Sequence, residues 1–133
     1  MSEFRVVEVE FKEQDVLVSS LEEMGYQPQV FKEARPLHGY QGDKRKEKAH
    51  IIIPRKQVGN SSNDVGFERV GDGFKLHASE FDKAWRAGAK IKRLKQIYGA
   101  NKITKVVNKS ARFSIVSRKE EEGKIKMKVR IRF

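Results

Sequence analysis

Residues 125–133 read IKMKVRIRF, in which a large apolar side chain alternates with Lys or Arg at every position. Successive side chains of a β-strand point to opposite faces, so this period of two predicts a strand with an apolar face and a cationic face, the latter extended by Lys124. We expect all the apolar side chains of this segment to be buried. Such a strand is typical of an antiparallel sheet with one face packed and the other in water.

The positive charge of the chain is concentrated in the part that ends with this strand. The 133 residues have a net charge of +11, yet residues 1–82 hold 12 basic and 15 acidic side chains, against 17 basic and 3 acidic in residues 83–133. Between positions 83 and 110 there are nine Lys or Arg and no Asp or Glu. This asymmetry favours a polyanionic partner.

Length and composition limit the classes of protein to which the chain can belong. We expect one domain over residues 1–133, with 38% hydrophobic and 35% charged residues. The acidic N-terminus resembles no signal peptide and no apolar run is long enough for a membrane helix, which indicates a cytoplasmic protein without membrane contact. The absence of cysteine excludes thiolate nucleophiles and cysteine-ligated metals, and the three histidines lack metal-ligand spacing, so we expect no cofactor or metal.

The first half of the chain is predicted to contain three strands and a helix. Alternation over 4–11 predicts a strand, and apolar residues at a spacing of three to four predict an acidic amphipathic helix over 13–24, ended by Gly25. A short strand is predicted over 27–31, a loop follows, and a buried strand is predicted over 50–53. Residues 57–64 are turn-forming types and predict a flexible surface loop.

The second half begins with a hairpin whose turn is the segment 71–73, Gly-Asp-Gly. Ser79 is the expected N-cap of a helix that runs to about Asn108. Its apolar residues change sides near Gly99, which leaves three alternatives open: a kink, a break into two helices, or burial on different sides in the two halves. Strands over 112–118 and 125–133 complete the chain. The fold class is therefore α+β, a mainly antiparallel sheet of six to seven strands with two helices packed on one face.

Four short segments, in this order and spacing, resemble a known family: YQGD at 40–43, AHIII at 49–53, NDVGF at 63–67 and DG at 72–73. The family is the domain of unknown function typified by the hypothetical chloroplast reading frame thirty-five of cyanobacteria and plastids. The similarity extends over most of the chain, although the family pattern has His where Glu3 stands. The resemblance implies a small soluble accessory protein and brings no established activity or cofactor.

The cations of the predicted late helix and final strand form the main candidate site. Those of the helix are Lys92, Arg93, Lys95 and Lys102, and those of the strand are Lys126, Lys128, Arg130 and Arg132. Alternate strand residues are spaced by about 6.6–6.8 Å, which is comparable to the separation of phosphates along a nucleic-acid strand. Two alternative roles for these cations stay open, because edge lysines prevent aggregation of sheets and the acids of the first helix could neutralise some of the charge.

Several weaker candidates accompany this site. Trp85, Tyr40 and Tyr98 could stack on bases, although isolated aromatic residues more often belong to the core. The loop 38–46 could hold an anion, but it lacks the spacing of a phosphate-binding loop and is more simply a turn with solvated charges. No spacing of Ser, His and Asp selects a catalytic triad.

These observations favour a small basic accessory protein that binds nucleic acid, with RNA as one candidate, through electrostatic contacts of its C-terminal helix and strand. The main alternative is a protein-interaction adaptor that docks an ATPase or an assembly partner. We expect no catalytic activity, because no pattern in the sequence brings acid–base or nucleophilic groups together.

Overall fold

The computed structural model describes residues 4–131, with the backbone alone described for residues 6–10. It confirms the α+β class. The strands are β1 (Phe4–Phe11), β2 (Gln29–His38), β3 (Lys44–Ile53), β4 (Val65–Val70), β5 (Gly73–Ser79), β6 (Phe113–Glu121) and β7 (Lys124–Ile131). The helices are α1 (Gln14–Glu23), α2 (Arg55–Val58), α3 (Lys83–Arg86) and α4 (Ala89–Asn108), of which α2 and α3 have four residues each.

The strands divide into two antiparallel sheets. Five of them form a sheet in the order β1-β5-β4-β3-β2, and β6 pairs with β7 in a separate two-stranded sheet. Most strands that are neighbours in a sheet are joined by short connections. Strands β4 and β5, for example, are joined by the predicted turn, in which Gly71 has a φ of 62°. The hairpin of β6 and β7 therefore lies apart from the hydrogen bonds of the main sheet.

One face of the five-stranded sheet is covered by the two long helices. Leu17 and Leu21 of α1 and Leu94 of α4 are fully buried in one cluster with sheet residues such as Ile51 and Phe67. The spacing of apolar residues along each helix is what turns these side chains toward the sheet. The expectation of two helices on one face is confirmed, with α2 and α3 as additional single turns.

The opposite face is covered by part of the sheet itself. Leu37, Ala49 and Ile52 form a second buried cluster with Phe4. Strand β2 contains bulges, and the β2–β3 hairpin bends there. The outer half of this hairpin therefore reaches Phe4 on the far edge strand. The guanidinium of Arg45 lies 5.7 Å from the centroid of the Phe4 ring. Burial on both faces explains why the run 51–53 is apolar at every position.

The second helix differs from its prediction at its start and at its interruption. Ser79 ends β5 and is not an N-cap. The interruption lies at Gly88, between α3 and α4, and α4 continues through Gly99. A Cβ atom at Gly88 would lie 2.9 Å from the Cα of Ala84, so the close approach of the two turns requires glycine there.

Two loop predictions were also wrong. Strand β2 continues to His38 and includes Pro36, which an edge strand tolerates because its missing N–H leaves no partner unpaired. The segment 57–64 is not a flexible surface loop throughout, because Asn63 and Asp64 are buried. The same residue types, Asn, Asp, Ser and Gly, occur in exposed loops and in turns that are held by buried polar side chains. Composition therefore did not distinguish the two cases.

The apolar face of the final strand is only partly covered. Ile125 and Met127 are half-buried, but Val129 and Ile131 are 41% and 50% exposed, and Phe113 on the neighbouring strand is 38% exposed. The expectation that these apolar groups are buried was therefore wrong, because the two-stranded sheet extends past the surface of α4 that covers its inner end. Arg132 and Phe133 lie outside the described residues.

Candidate nucleic-acid interface

The predicted helix cations are not among the residues through which α4 packs. Ile91, Leu94, Ile97 and Tyr98 are the residues through which α4 packs, and they are buried. Lys92, Lys95 and Lys102 are exposed, and Arg93 is partly buried. The four cations fall at different angles of the 3.6-residue period, so they are spread around the accessible part of the helix and do not form one row.

The predicted strand cations lie on a different surface from those of the helix. Ile125 and Met127 of β7 line a cavity of about 520 Å³ together with Lys95 and Ile103 of α4. Because side chains alternate along a strand, Lys126, Lys128 and Arg130 point to the opposite face of the hairpin. The two sets approach each other at the turn of the hairpin, where Lys124 lines the same cavity as Lys95.

The face that carries the strand cations, here called the outer face, is polar on both strands. Pairing places Lys119 opposite Lys126, Ser117 opposite Lys128 and Ser114 opposite Arg130. Lys119 is a member of this face that the sequence prediction missed. A register shift between residues 115 and 117 decides its side, so the simple alternation of β6 could not have assigned it.

Two of the predicted cations have internal partners. Nζ of Lys126 lies 3.0 Å from a carboxylate oxygen of Glu121, and the guanidinium of Arg93 is paired with Glu120. Among the described side chains, the remaining predicted cations within residues 4–131 have no carboxylate within 4.0 Å: Lys92, Lys95, Lys102, Lys128 and Arg130. These five are therefore the ones available to a ligand.

Other cations join the acidic helix to the basic half of the chain. Nζ of Lys105 lies 2.9 Å from carboxylate oxygens of both Glu13 and Asp15, and Arg118 lies 2.7 Å from Glu23. The hydrogen bond from Lys105 lowers the pKa of Asp15, and the bonds to Glu13 and Asp15 raise the pKa of Lys105. Part of the positive charge of the basic half is thus neutralised by ion pairs within the molecule.

The aromatic candidates do not contribute to this surface. Trp85 is 2% exposed and packs against Tyr26, and Tyr98 is also buried. Tyr40 is exposed, but it lies in the turn between β2 and β3. The interface therefore offers cations and hydroxyl groups to a ligand, whereas the three aromatic candidates lie in the core or in the β2–β3 turn.

The described residues contain neither a metal cluster nor a membrane-spanning helix. Within them, no group of three or more His, Cys, Asp or Glu side chains is arranged to hold a metal ion. None of the helices in residues 4–131 combines the length and apolar character needed to cross a membrane.

Comparison with known proteins places the chain in a family. No curated protein and no solved structure matches it. A family model described as a protein of unknown function (DUF1257) matches residues 20–128, which is most of the chain. The chain therefore belongs to the DUF1257 family of proteins of unknown function.

Proposed function

We propose that this protein is a small accessory protein that binds nucleic acid by electrostatic contact, through the outer face of the β6–β7 hairpin and the exposed side of α4. The observation that supports the proposal is the outer face itself. Lys119, Lys128 and Arg130 are exposed there, and Ser114 and Ser117 stand opposite two of the cations. Lysine, arginine and serine are among the residues that contact phosphate oxygens most often.

The spacing of this face suits a single strand of RNA or DNA. Neighbouring cations along β7 are about 6.6–6.8 Å apart. Each phosphate that they neutralise releases counterions, so the association constant falls as salt rises. Contacts of this kind are made to the phosphate backbone and do not read the bases, so binding has weak sequence preference.

The proposal is tested by fluorescence anisotropy of labelled single-stranded RNA, single-stranded DNA and duplexes, titrated from low to physiological salt. The test variant is Lys128→Gln with Arg130→Gln, and the matched control is Lys32→Gln with Lys46→Gln, which removes the same charge from exposed positions on β2 and β3. We expect the test variant to bind about tenfold more weakly at low salt and the control to change by less than about twofold. Absence of binding at low salt, or equal losses in both variants, would contradict the proposal.

A second function is favoured by the exposed apolar groups at the open end of the hairpin. Phe113, Val129 and Ile131 together form an accessible apolar surface on the inner face of the hairpin, opposite the face of the cations. We propose as the alternative an adaptor without catalytic activity, which docks a protein partner such as an ATPase or an assembly subunit through this surface. Val129→Ser with Ile131→Ser would then abolish capture of the partner and leave nucleic-acid affinity unchanged.

Two finer assignments rest on the sequence. We infer that within its family the chain is related to the hypothetical chloroplast reading frame thirty-five proteins, on the segments at 40–43, 49–53 and 63–67. We also propose that it acts in the cytoplasm. Fractionation of cells that produce a tagged full-length chain would test the location, and recovery with the membrane fraction would contradict it.

A further inference from the structure

A second group of cations surrounds a cavity of about 480 Å³ beside the β2–β3 hairpin. The four cations in its lining are Arg35, Lys44, Arg55 and Lys56. None of the lining residues belongs to α4 or to the β6–β7 hairpin, so this cavity is distinct from the proposed nucleic-acid interface.

The acidic residue in the lining, Asp64, is satisfied by partners of its own. The backbone N–H groups of His38 and Arg55 each donate to its carboxylate over 2.7 Å, and Nδ1 of His38 lies 3.4 Å away. The neighbouring Asn63 accepts a hydrogen bond from the backbone N–H of Tyr40 over 2.9 Å. Asp64 therefore holds the walls of the cavity together and forms no ion pair within 4.0 Å with any of the four cations, so its single negative charge leaves the lining strongly positive.

Two of the cations are held in position. Nη1 of Arg55 donates to the carbonyl oxygen of Tyr40 over 3.1 Å, and the guanidinium of Arg35 lies 4.9 Å from the centroid of the Phe31 ring. Among the described side chains, Arg35, Lys44, Arg55 and Lys56 have no carboxylate within 4.0 Å. Four cations gathered around one cavity attract an anion, and arginines that are already positioned bind one with little loss of entropy.

Part of the remaining lining of the cavity is apolar. Phe31, Ile52 and Pro54 contribute to it beside the polar Gln29 and His38, so a ligand meets both charge and hydrocarbon. We propose that this cavity binds a phosphate monoester that carries a planar base, the chemistry of a mononucleotide. The phosphate lies among the four cations and the base contacts the apolar wall. The volume lies within the usual range of about 300–1,000 Å³ for small-molecule sites.

The same chemistry has two sources. A free mononucleotide presents it, and so does the 5′-terminal phosphate of an oligonucleotide. In both cases the terminal phosphate, which carries more charge than an internal phosphodiester, selects the ligand. A nucleic-acid interface on the hairpin is not needed for either source.

Isothermal titration calorimetry of the full-length chain with AMP, adenosine and inorganic phosphate tests the site. The test variant is Arg35→Gln with Lys44→Gln, and the control is Lys46→Gln with Lys75→Gln, which removes the same charge from exposed positions on β3 and β5 outside both the cavity and the nucleic-acid interface. We expect saturable binding of AMP at one site, about tenfold weaker in the test variant and changed by less than about twofold in the control. If the test variant fails to fold, Lys56→Gln alone replaces it, with Lys75→Gln as its control.

A second titration separates the two sources. Trinucleotides with a 5′-phosphate and with a 5′-hydroxyl are compared with AMP on the wild type and the test variant. Preference for the 5′-phosphorylated trinucleotide over AMP, lost in the test variant, supports the terminus as the ligand, whereas tighter binding of AMP supports the free nucleotide. The proposal is overturned if neither AMP nor the 5′-phosphorylated trinucleotide saturates the protein at millimolar concentration. It is also overturned if adenosine binds as tightly as AMP, or if the control variant loses as much affinity for AMP as the test variant.

Discussion

The hydroxyl group of Tyr98 in α4 accepts a hydrogen bond from the backbone N–H of Glu13, the N-cap residue immediately before α1, over 3.0 Å. The N–H of Lys12 donates to the same oxygen over 3.1 Å. The side chain of Glu13 makes no capping hydrogen bond of its own. A residue of α4 thus fixes the segment that leads into α1 by accepting from two consecutive backbone N–H groups.

Replacement of Tyr98 by Phe removes this acceptor and keeps the ring. Because two N–H groups then lose their partner, we expect the free energy of unfolding to fall by about 1–3 kcal/mol. Urea denaturation of the purified protein measures the change. Tyr40→Phe is the matched control, since the Tyr40 ring is exposed, and we expect an effect within about 0.5 kcal/mol. Equal effects of the two variants would contradict the role of the Tyr98 hydroxyl in holding the start of α1.

Asp64→Ala leaves the N–H groups of His38 and Arg55 without their acceptor. Hydrogen bonds to a charged group contribute about 1.5–3 kcal/mol each, so we expect a loss of about 3 kcal/mol or more in the free energy of unfolding. The control is Asp72→Ala, because the side chain of Asp72 is 92% exposed in the turn between β4 and β5. A loss of similar size in both variants, measured by urea denaturation, would contradict the assigned role of Asp64.

Replacement of glycine by alanine is expected to have opposite effects on stability at Gly66 and Gly99. A Cβ at Gly66 would lie 2.6 Å from the Cβ of Ala49 and 2.7 Å from Leu37, so Gly66→Ala forces the second cluster apart and destabilises the fold by about 1–3 kcal/mol. Gly99 lies inside α4 with open space around it, and Gly99→Ala stabilises by about 0.5–1 kcal/mol. Thermal unfolding followed by circular dichroism distinguishes the two, and a lower melting temperature for Gly99→Ala would contradict the second expectation.

Asp82 predicts a dependence of stability on pH. One of its carboxylate oxygens is buried without a partner among the described residues, and burial raises the pKa of this carboxyl, although a hydrogen bond from Asn63 opposes the shift. The folded state therefore holds the proton more tightly than the unfolded state does. The carboxylate destabilises the fold above the folded pKa, and this penalty disappears as the pH falls below about 3.9, the ordinary pKa of Asp.

We accordingly expect Asp82→Asn to raise the melting temperature at pH 7 and to have little effect below pH 4. The amide oxygen can still accept the hydrogen bond from Asn63, so the variant removes the buried charge and keeps that contact. Asp72→Asn is the control, because its exposed side chain gives no reason for a gain at either pH. A gain for Asp82→Asn of equal size at both pH values would show that the charge is not its cause.

Glu121 restrains the proposed nucleic-acid interface. Its carboxylate pairs with Lys126 on the outer face, so Glu121→Gln frees one more cation. We expect tighter binding of single-stranded RNA at low salt, with a salt slope steeper by about 0.7, the value for one additional phosphate contact. Glu33→Gln changes the net charge equally at an exposed position on β2 and serves as the control. Equal gains in both variants would indicate an effect of net charge alone.

The elements that sequence predicted well are those whose signal is local. The alternation in β7, the spacing of apolar residues in α1 and the Gly at the turn of β4 and β5 each depend on neighbouring residues, and each led to the correct element. The cations of β7 were likewise assigned to one face by period alone, and Lys126, Lys128 and Arg130 are exposed. These local signals therefore predicted whether each element is a helix or a strand and which of its sides faces solvent.

The features that sequence could not predict depend on contacts between distant segments. Val129 and Ile131 alternate as regularly as Ile125, and only the extent of α4 decides which of them is covered. Asp64 has the composition of a turn, yet its burial depends on His38 and Arg55. The cavity beside β2 was predicted only in part, through the loop 38–46 that supplies His38 and Lys44, because Arg35 and Arg55 join Lys44 only in the folded chain.

The separation of the β6–β7 hairpin from the main sheet has a consequence for how the molecule opens. Local unfolding of the hairpin disrupts its contacts with α4 and the ion pairs of Arg93 and Arg118, but no hydrogen bond between strands of the five-stranded sheet. We therefore expect the two sheets to open as separate cooperative units, with the lower opening free energy in the hairpin, because a two-stranded sheet has little stability of its own. The hairpin that carries the proposed phosphate-binding cations is thus also the part that can rearrange with the least effect on the rest of the fold.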